Sequence, residues 1–171
     1  MASSKNMPPE HSPEPKATIS RFEKLLADLA RSGVDFAVAG GLAVILNGYP
    51  RLTVDVDILV SETPDNIRKL LHCLEGWGEG WARDLKVEDF APQEGSIRVS
   101  EEFDLDIFTR MRGKSLDDFR LKLRYVELQQ VRLPILDPES LIFLKSGSWR
   151  EKDQLDVSAM KEILERERRG I

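Results

Sequence analysis

The sequence predicts an α+β domain, a mixed sheet of about five strands flanked by helices. Short runs of alternating or clustered apolar residues, at 34–38, 52–60, 97–99, 103–109 and 131–136, are bounded by Gly, Pro, Asp or Ser and read as strands. Around them, apolar residues recur at helical spacing over 19–30, 67–74 and 155–164. A chain of 171 residues with no internal repeat and no composition break fits one domain, residues 18–171, behind a disordered tail. That tail, residues 1–17, is rich in Pro, Ser, Lys and Glu and poor in anything that packs.

The elements follow in order. Ser20-Arg21-Phe22-Glu23 has the spacing of a capping box, in which Ser and Glu side chains satisfy the exposed N–H groups of a helix start. Ile19, Phe22, Leu25, Leu26, Leu29 and Ala30 then form one helical face, and Gly33 stops the helix. Val34, Phe36 and Val38 alternate as a strand, Gly40-Gly41 turns the chain into a short helix over 42–46, and Pro50 blocks its extension. In the second strand, 52–60, Val54, Val56 and Ile58 are expected to face the core, with Asp55 and Asp57 on the opposite face.

Pro64 opens a helix whose buried stripe is Ile67, Leu70, Leu71 and Leu74. It fades into a glycine-broken loop, 76–81, whose Trp77 and Trp81 are expected to pack beneath it. Residues 97–99 and 103–109 read as an antiparallel pair, the second carrying another D-x-D, Asp104 and Asp106. Ser115 caps a short helix, 123–128 and 131–136 read as a hairpin although the first run also fits a continuation of that helix, and Asp137-Pro138 opens a helix that Gly147 ends. The last amphipathic helix carries Leu155, Ala159, Met160, Ile163 and Leu164.

Composition narrows the function. The formal net charge of −5 leaves no electrostatic footprint for nucleic acid on the chain as a whole. Arg110, Arg112, Lys114, Arg120, Lys122 and Arg124 nevertheless form a basic stretch, read by default as a solvated surface, although a basic rim around an acidic site would suit a polyanionic substrate. A single cysteine, Cys73, excludes an internal disulfide and reads as a small apolar residue within a helix. Two histidines, one of them His11 in the tail, argue against a His-rich zinc site or a His-based triad. No apolar run is long enough to span a bilayer and no signal-peptide pattern is present, so a cytoplasmic protein without a membrane partner is expected.

The chemistry concentrates between residues 34 and 60. Two carboxylates on one strand face, Asp55 and Asp57, repel each other unless a cation is near. A hard divalent ion such as Mg2+ is the natural partner, and a third carboxylate from a neighbouring strand completes a two-metal clamp. Asp106 is the candidate, because the apolar Ile107-Phe108 follow it as Ile58-Leu59 follow Asp57; Asp104 points to the same face and is the reserve. Gly40-Gly41 lets a phosphate approach the backbone, and Arg51 and Thr53 stand ready to steady a phosphate or the acidic pair.

Gly40-Gly41, then Gly48, Arg51, Thr53, Asp55 and Asp57 at fixed spacing, then a later strand with Asp106, resembles the nucleotidyltransferases of the polymerase-beta superfamily. The likeness is greatest to the small bacterial branch that includes abortive-infection type toxins, and it extends to Leu141-Ile142, Lys145, Arg150, Lys152-Asp153 and Asp156. The resemblance implies a nucleotidyltransferase-like sheet and transfer of a nucleoside monophosphate from a nucleoside triphosphate, ATP among the candidates. Asp55, Asp57 and Asp106 would be the metal ligands for Mg2+ (or Mn2+), with Asp106 helping to deprotonate the acceptor. Gly40 and Gly41 would hold the triphosphate, while Lys145 and Arg150 would reach its phosphates. The wider superfamily usually has Gly-Ser where this chain has Gly-Gly.

The acceptor hydroxyl implied is that of a tRNA end, a protein side chain or a small molecule, with a toxin of a toxin–antitoxin system as one role. So short a chain is expected to need an antitoxin-like partner or a second copy. The contrasting reading is a catalytically silent module of the same fold. A sugar-transferring D-x-D enzyme is disfavoured by too few βα units before Asp55, and a dinucleotide site by the missing third glycine.

Overall fold

Pro15 begins the first helix, because its fixed φ and missing N–H suit a first helical position. In this computed structural model, which describes residues 15–171 and the side chains from Ser20 onward, α1 runs Pro15–Arg31. The expected tail lies outside the described residues up to position 14, and positions 15–17 belong to the helix. Ser20 therefore sits inside α1, not at its cap, which corrects the start read from the Ser20–Glu23 spacing. Phe22, Leu25, Leu26 and Leu29 are buried, and Gly33 takes the left-handed conformation (φ 73°) that lets the chain leave the helix.

The remaining elements are β1 (Phe36–Ala39), α2 (Gly40–Leu46), β2 (Asp55–Val60), α3 (Pro64–Glu75), β3 (Ser96–Ser100), β4 (Asp104–Phe108), α4 (Leu116–Phe119), β5 (Arg124–Leu128), β6 (Val131–Ile135), α5 (Pro138–Lys145) and α6 (Glu151–Arg168). Six strands form one mixed sheet in the order β3-β4-β2-β1-β6-β5, one more than the sequence suggested. β1 runs antiparallel to β2 and parallel to β6, while β2 and β4 are parallel. The β3–β4 and β5–β6 pairs are antiparallel, as expected of two hairpins.

This topology gathers chemistry at one end of the sheet. The C-terminal ends of β1 and β6 lie there, opening into α2 and α5, beside the N-terminal ends of β2 and β4. Ala39 pairs with Asp57, so the glycine turn and the D-x-D strand meet directly. The core runs through the central strands: Phe36–Ala39, Val56, Ile58, Leu59, Leu105 and Ile107 are all essentially inaccessible. Val54 is a correction, since it lies before the strand begins and is 74% exposed.

Trp77 packs against Phe103 with ring centroids 5.1 Å apart, whereas Trp81 is exposed on the surface, contrary to its expected place under the loop. The basic stretch does not form a free rim. Arg110 pairs with Glu62, Arg120 with Asp35 and Asp117, Lys122 with Glu139, and Arg124 with Glu167. Arg112 donates to the carbonyls of Phe143 and Ser146 at the end of α5, and Lys114 lies over the Phe143 ring. No helix among the described residues is long and apolar enough to cross a membrane.

One buried side chain locks the two strands that carry the site. Asn66, in the first turn of α3, accepts from the Asp35 N–H (2.7 Å) and donates to the carbonyls of Asp35 (2.9 Å) and Ser61 (2.8 Å). Asn66→Ala removes three hydrogen bonds and strands two backbone groups, the Asp35 N–H just before β1 and the Ser61 carbonyl just after β2, while the Asp35 carbonyl keeps the Ser61 N–H, so a loss of about 2–4 kcal/mol is expected. Urea unfolding checks this: the midpoint falls while the slope stays that of the wild type.

Candidate functional site

Parallel pairing of β2 with β4 puts Asp55 opposite Asp104 and Asp57 opposite Asp106. Side chains alternate along each strand, so these four carboxylates share one face at the site end of the sheet. Asp106, directly across from Asp57, is buried; Asp104, one step nearer the strand start, is partly exposed and accepts from the Ser100 hydroxyl at 2.6 Å. Thr53 is buried and donates its hydroxyl to Asp55, through both the carboxylate and the backbone carbonyl (3.2 Å each), so it steadies the acidic pair.

Asp57 is the group most in need of positive charge. Burial, and then Asp55 and Asp106, push its carboxyl up from the ordinary range to about 7. Lys145 and Arg98 oppose that shift from a distance.

The glycine pair has a physical reason that motif spacing did not disclose. Gly40 adopts φ 58°, and a Cβ there would lie 1.9 Å from Asp57 Oδ2. A Cβ on Gly41 would lie 2.3 Å from the Arg51 guanidinium. The two glycines thus let Asp57 and Arg51 close onto the backbone. A serine at position 41 would have to displace this arginine.

Arg51 is held from α6. Its Nε and Nη2 each lie 2.9 Å from Asp156, whose side chain is fully buried. Lys145, at the end of α5, reaches the same carboxylate at 3.1 Å and Asp153 at 3.0 Å. Asp153 also accepts from the Ser148 hydroxyl at 2.7 Å. Arg51 and Lys145 are therefore tied into one buried ion network behind the glycine turn. Arg150 lies outside that network, exposed, with its backbone N–H on Ser148.

Arg98 is the residue that sequence reading missed. It lies on β3 opposite Asp106, and its Nε and Nη2 reach the two Asp106 oxygens at 2.9 and 2.8 Å. Its Nη1 reaches Asp104 at 3.2 Å, and Ser96 also donates to Asp106 at 3.3 Å. The signal was present: in an antiparallel hairpin closed between Ser100 and Asp104, the residue facing Asp106 is Arg98.

Asp55, Asp57 and Asp106 are hard oxygen donors on one face, the right chemistry for Mg2+ or Mn2+. No ready-made cluster of three or more acidic, His or Cys ligands occurs among the described residues. The reason is visible in Asp106, which turns both oxygens to Arg98.

A family model described as "Nucleotidyltransferase of unknown function (DUF6036)" matches residues 18–166. Among solved structures, the lincomycin-bound lincosamide antibiotic adenylyltransferase LnuA is similar over 84% of this chain and 96% of its own, at 18% identity and TM-score 0.59. An antigenic nucleotidyltransferase-like protein from Paracoccidioides brasiliensis is similar over 86% of this chain and 76% of its own, at 18% identity and TM-score 0.54. A putative nucleotidyltransferase from Thermotoga maritima is similar over 76% of this chain and 83% of its own, at 16% identity and TM-score 0.51. At such identities the likeness is one of fold. No curated protein matches the chain in sequence.

Two outcomes are expected of the site itself. A carboxyl whose folded pKa is raised binds its proton more tightly than the unfolded chain does, so Asp57 costs stability as pH rises from about 4 to about 7. In the presence of a chelator, Asp57→Asn therefore melts above the wild type at pH 8, and the gap closes toward pH 4. Gly41→Ser forces its Cβ onto a guanidinium that Asp156 pins in place, which costs about 1–3 kcal/mol. Calorimetric melting of the variant, beside Gly41→Ser/Arg51→Ala in which the obstruction is gone, reads that cost.

Proposed function

From the premise that this chain belongs to the nucleotidyltransferase family whose model spans residues 18–166, we propose that it transfers a nucleoside monophosphate from a nucleoside triphosphate to an acceptor hydroxyl. The observation that carries this reading is the pairing of Asp57 with Asp106 across β2 and β4, beside the glycine turn. A divalent cation held by Asp55, Asp57 and Asp106 would neutralise charge on the triphosphate and acidify the acceptor hydroxyl. Asp106 is preferred to Asp104 because it faces Asp57 and contributes to raising its pKa.

The protein's own part is placement. Gly40 and Gly41 bring the backbone of the turn within reach of the triphosphate, and Thr53 keeps Asp55 aimed. Lys145, the last residue of α5, would supply a positive field to Asp57 and to incoming phosphate. Arg150, exposed just before α6, would meet the outer phosphates as they arrive. In the transfer, the acceptor oxygen bonds to the α-phosphorus, the bond to pyrophosphate breaks, and pyrophosphate leaves. The acceptor proton passes to a carboxylate oxygen of Asp106.

A small-molecule acceptor is the first class proposed, supported by likeness of fold. The lincosamide enzyme, named for an antibiotic acceptor, is covered almost whole by this chain, so a single minimal domain is enough for a small-molecule acceptor. A tRNA end or a protein side chain, with the chain acting as a toxin beside an antitoxin-like partner, is the second acceptor class, favoured by the motif resemblance.

Incubation with Mg2+ and each α-labelled triphosphate, against tRNA, total protein and a panel of hydroxylated small molecules, tests the proposal. Label is expected on one acceptor class, falling at least 100-fold in Asp55→Ala/Asp57→Ala. Transfer that persists in the double variant would overturn the assignment of Asp55 and Asp57, and no transfer to any acceptor under any condition would favour the silent module instead.

A further inference from the structure

Asp106 is the deepest of the four carboxylates, its side chain 8% exposed, yet neither of its oxygens is free. Arg98 grips both in a fork, the strongest geometry an ion pair adopts between these groups. A cation that uses Asp106 as a ligand must take at least one of those oxygens from Arg98. We propose that Arg98 is the resident counter-ion of the third carboxylate, and that a divalent cation enters the site in exchange for it. This rests on the transferase reading of the site and adds a residue that sets how readily the metal-free protein takes up its metal.

The surroundings suit an exchange. A buried carboxylate left without a positive partner is costly, so Asp106 needs a cation at all times. Arg98 supplies one that is always charged. Its strand, β3, is the edge of the sheet, and its side chain is half exposed, so the guanidinium can leave without unpacking any core residue. Asp104 already holds its Nη1 at 3.2 Å, so an Arg98 released from Asp106 retains a partner one step along the strand. The pairing also accounts for the absence of a converged ligand cluster among the described residues: the third ligand is turned toward β3.

The probe is Mn2+ alone, without nucleotide, its free concentration read by electron paramagnetic resonance against the full chain. Five proteins are compared: wild type, Arg98→Gln, Arg98→Lys, Asp106→Asn, and Asp106→Asn/Arg98→Gln, each checked for native near-ultraviolet circular dichroism. Arg98→Gln is expected to bind Mn2+ about tenfold more tightly than wild type, the scale of one lost charge-assisted pair. Arg98→Lys, which keeps the charge and loses the fork, shifts in the same direction, and guards against a Gln variant that fails to fold.

In the Asp106→Asn background the Arg98→Gln effect is expected to vanish, because the contested oxygens are gone. Unchanged affinity in Arg98→Gln, or a gain that survives undiminished in the Asp106→Asn background, overturns the exchange and leaves the transferase reading intact. An absence of Mn2+ binding in wild type and Arg98 variants alike overturns both.

Discussion

Two parallel strands that both begin with D-x-D place four negative charges on one small face, and much of the surrounding structure answers that repulsion. Carboxylates at neighbouring positions in adjacent strands cannot all stay ionised in a partly buried setting without compensation. Here compensation comes in pieces. Arg98 neutralises Asp106 and touches Asp104, Thr53 hydrogen-bonds Asp55, and Asp57 is left with a raised pKa and only distant positive charge. The uneven sharing marks Asp57 as the position where an added cation gains most.

A second charge centre, built on the fully buried Asp156, fixes the geometry behind the first. Asp156 on α6 binds Arg51 and Lys145 together, and Arg51 in turn lies against Gly41. The C-terminal helix is thus tied to the glycine turn by charge as well as by apolar packing through Met160. Removing Asp156 would leave the mostly buried Arg51 without its carboxylate and Lys145 with Asp153 alone, so Asp156 stabilises the arrangement behind the glycine turn. The same network accounts for glycine at position 41: the space a side chain would need is filled by the arginine that the network holds.

The basic stretch between Arg110 and Arg124 shows how charge read along a chain misleads. Most of those side chains face acidic partners brought from elsewhere, Glu62, Asp35, Glu139 and Glu167, while Arg112 stops α5. Pairing across such separations is invisible to local composition. Ser20 and Val54 were misjudged for a related reason. A proline five residues upstream opened α1 earlier, and β2 began one residue later than Val54, beyond the reach of sheet burial.

The sequence alone determined the α+β class, nearly every element, the glycine turn and the D-x-D strands, because period-two and helical patterns and Gly, Pro and Asp punctuation are local properties. It also offered Asp106 over Asp104 through the apolar residues that follow it. Only the tertiary structure decided that Asp106 lies opposite Asp57, that Arg51 and Lys145 share a buried carboxylate, and that Arg98 holds the third acid. Those are matters of strand register and of contacts between residues up to 105 positions apart, where a shift of one residue would turn each side chain to the other face. Local pattern chose the parts; register and long-range charge pairing assembled them.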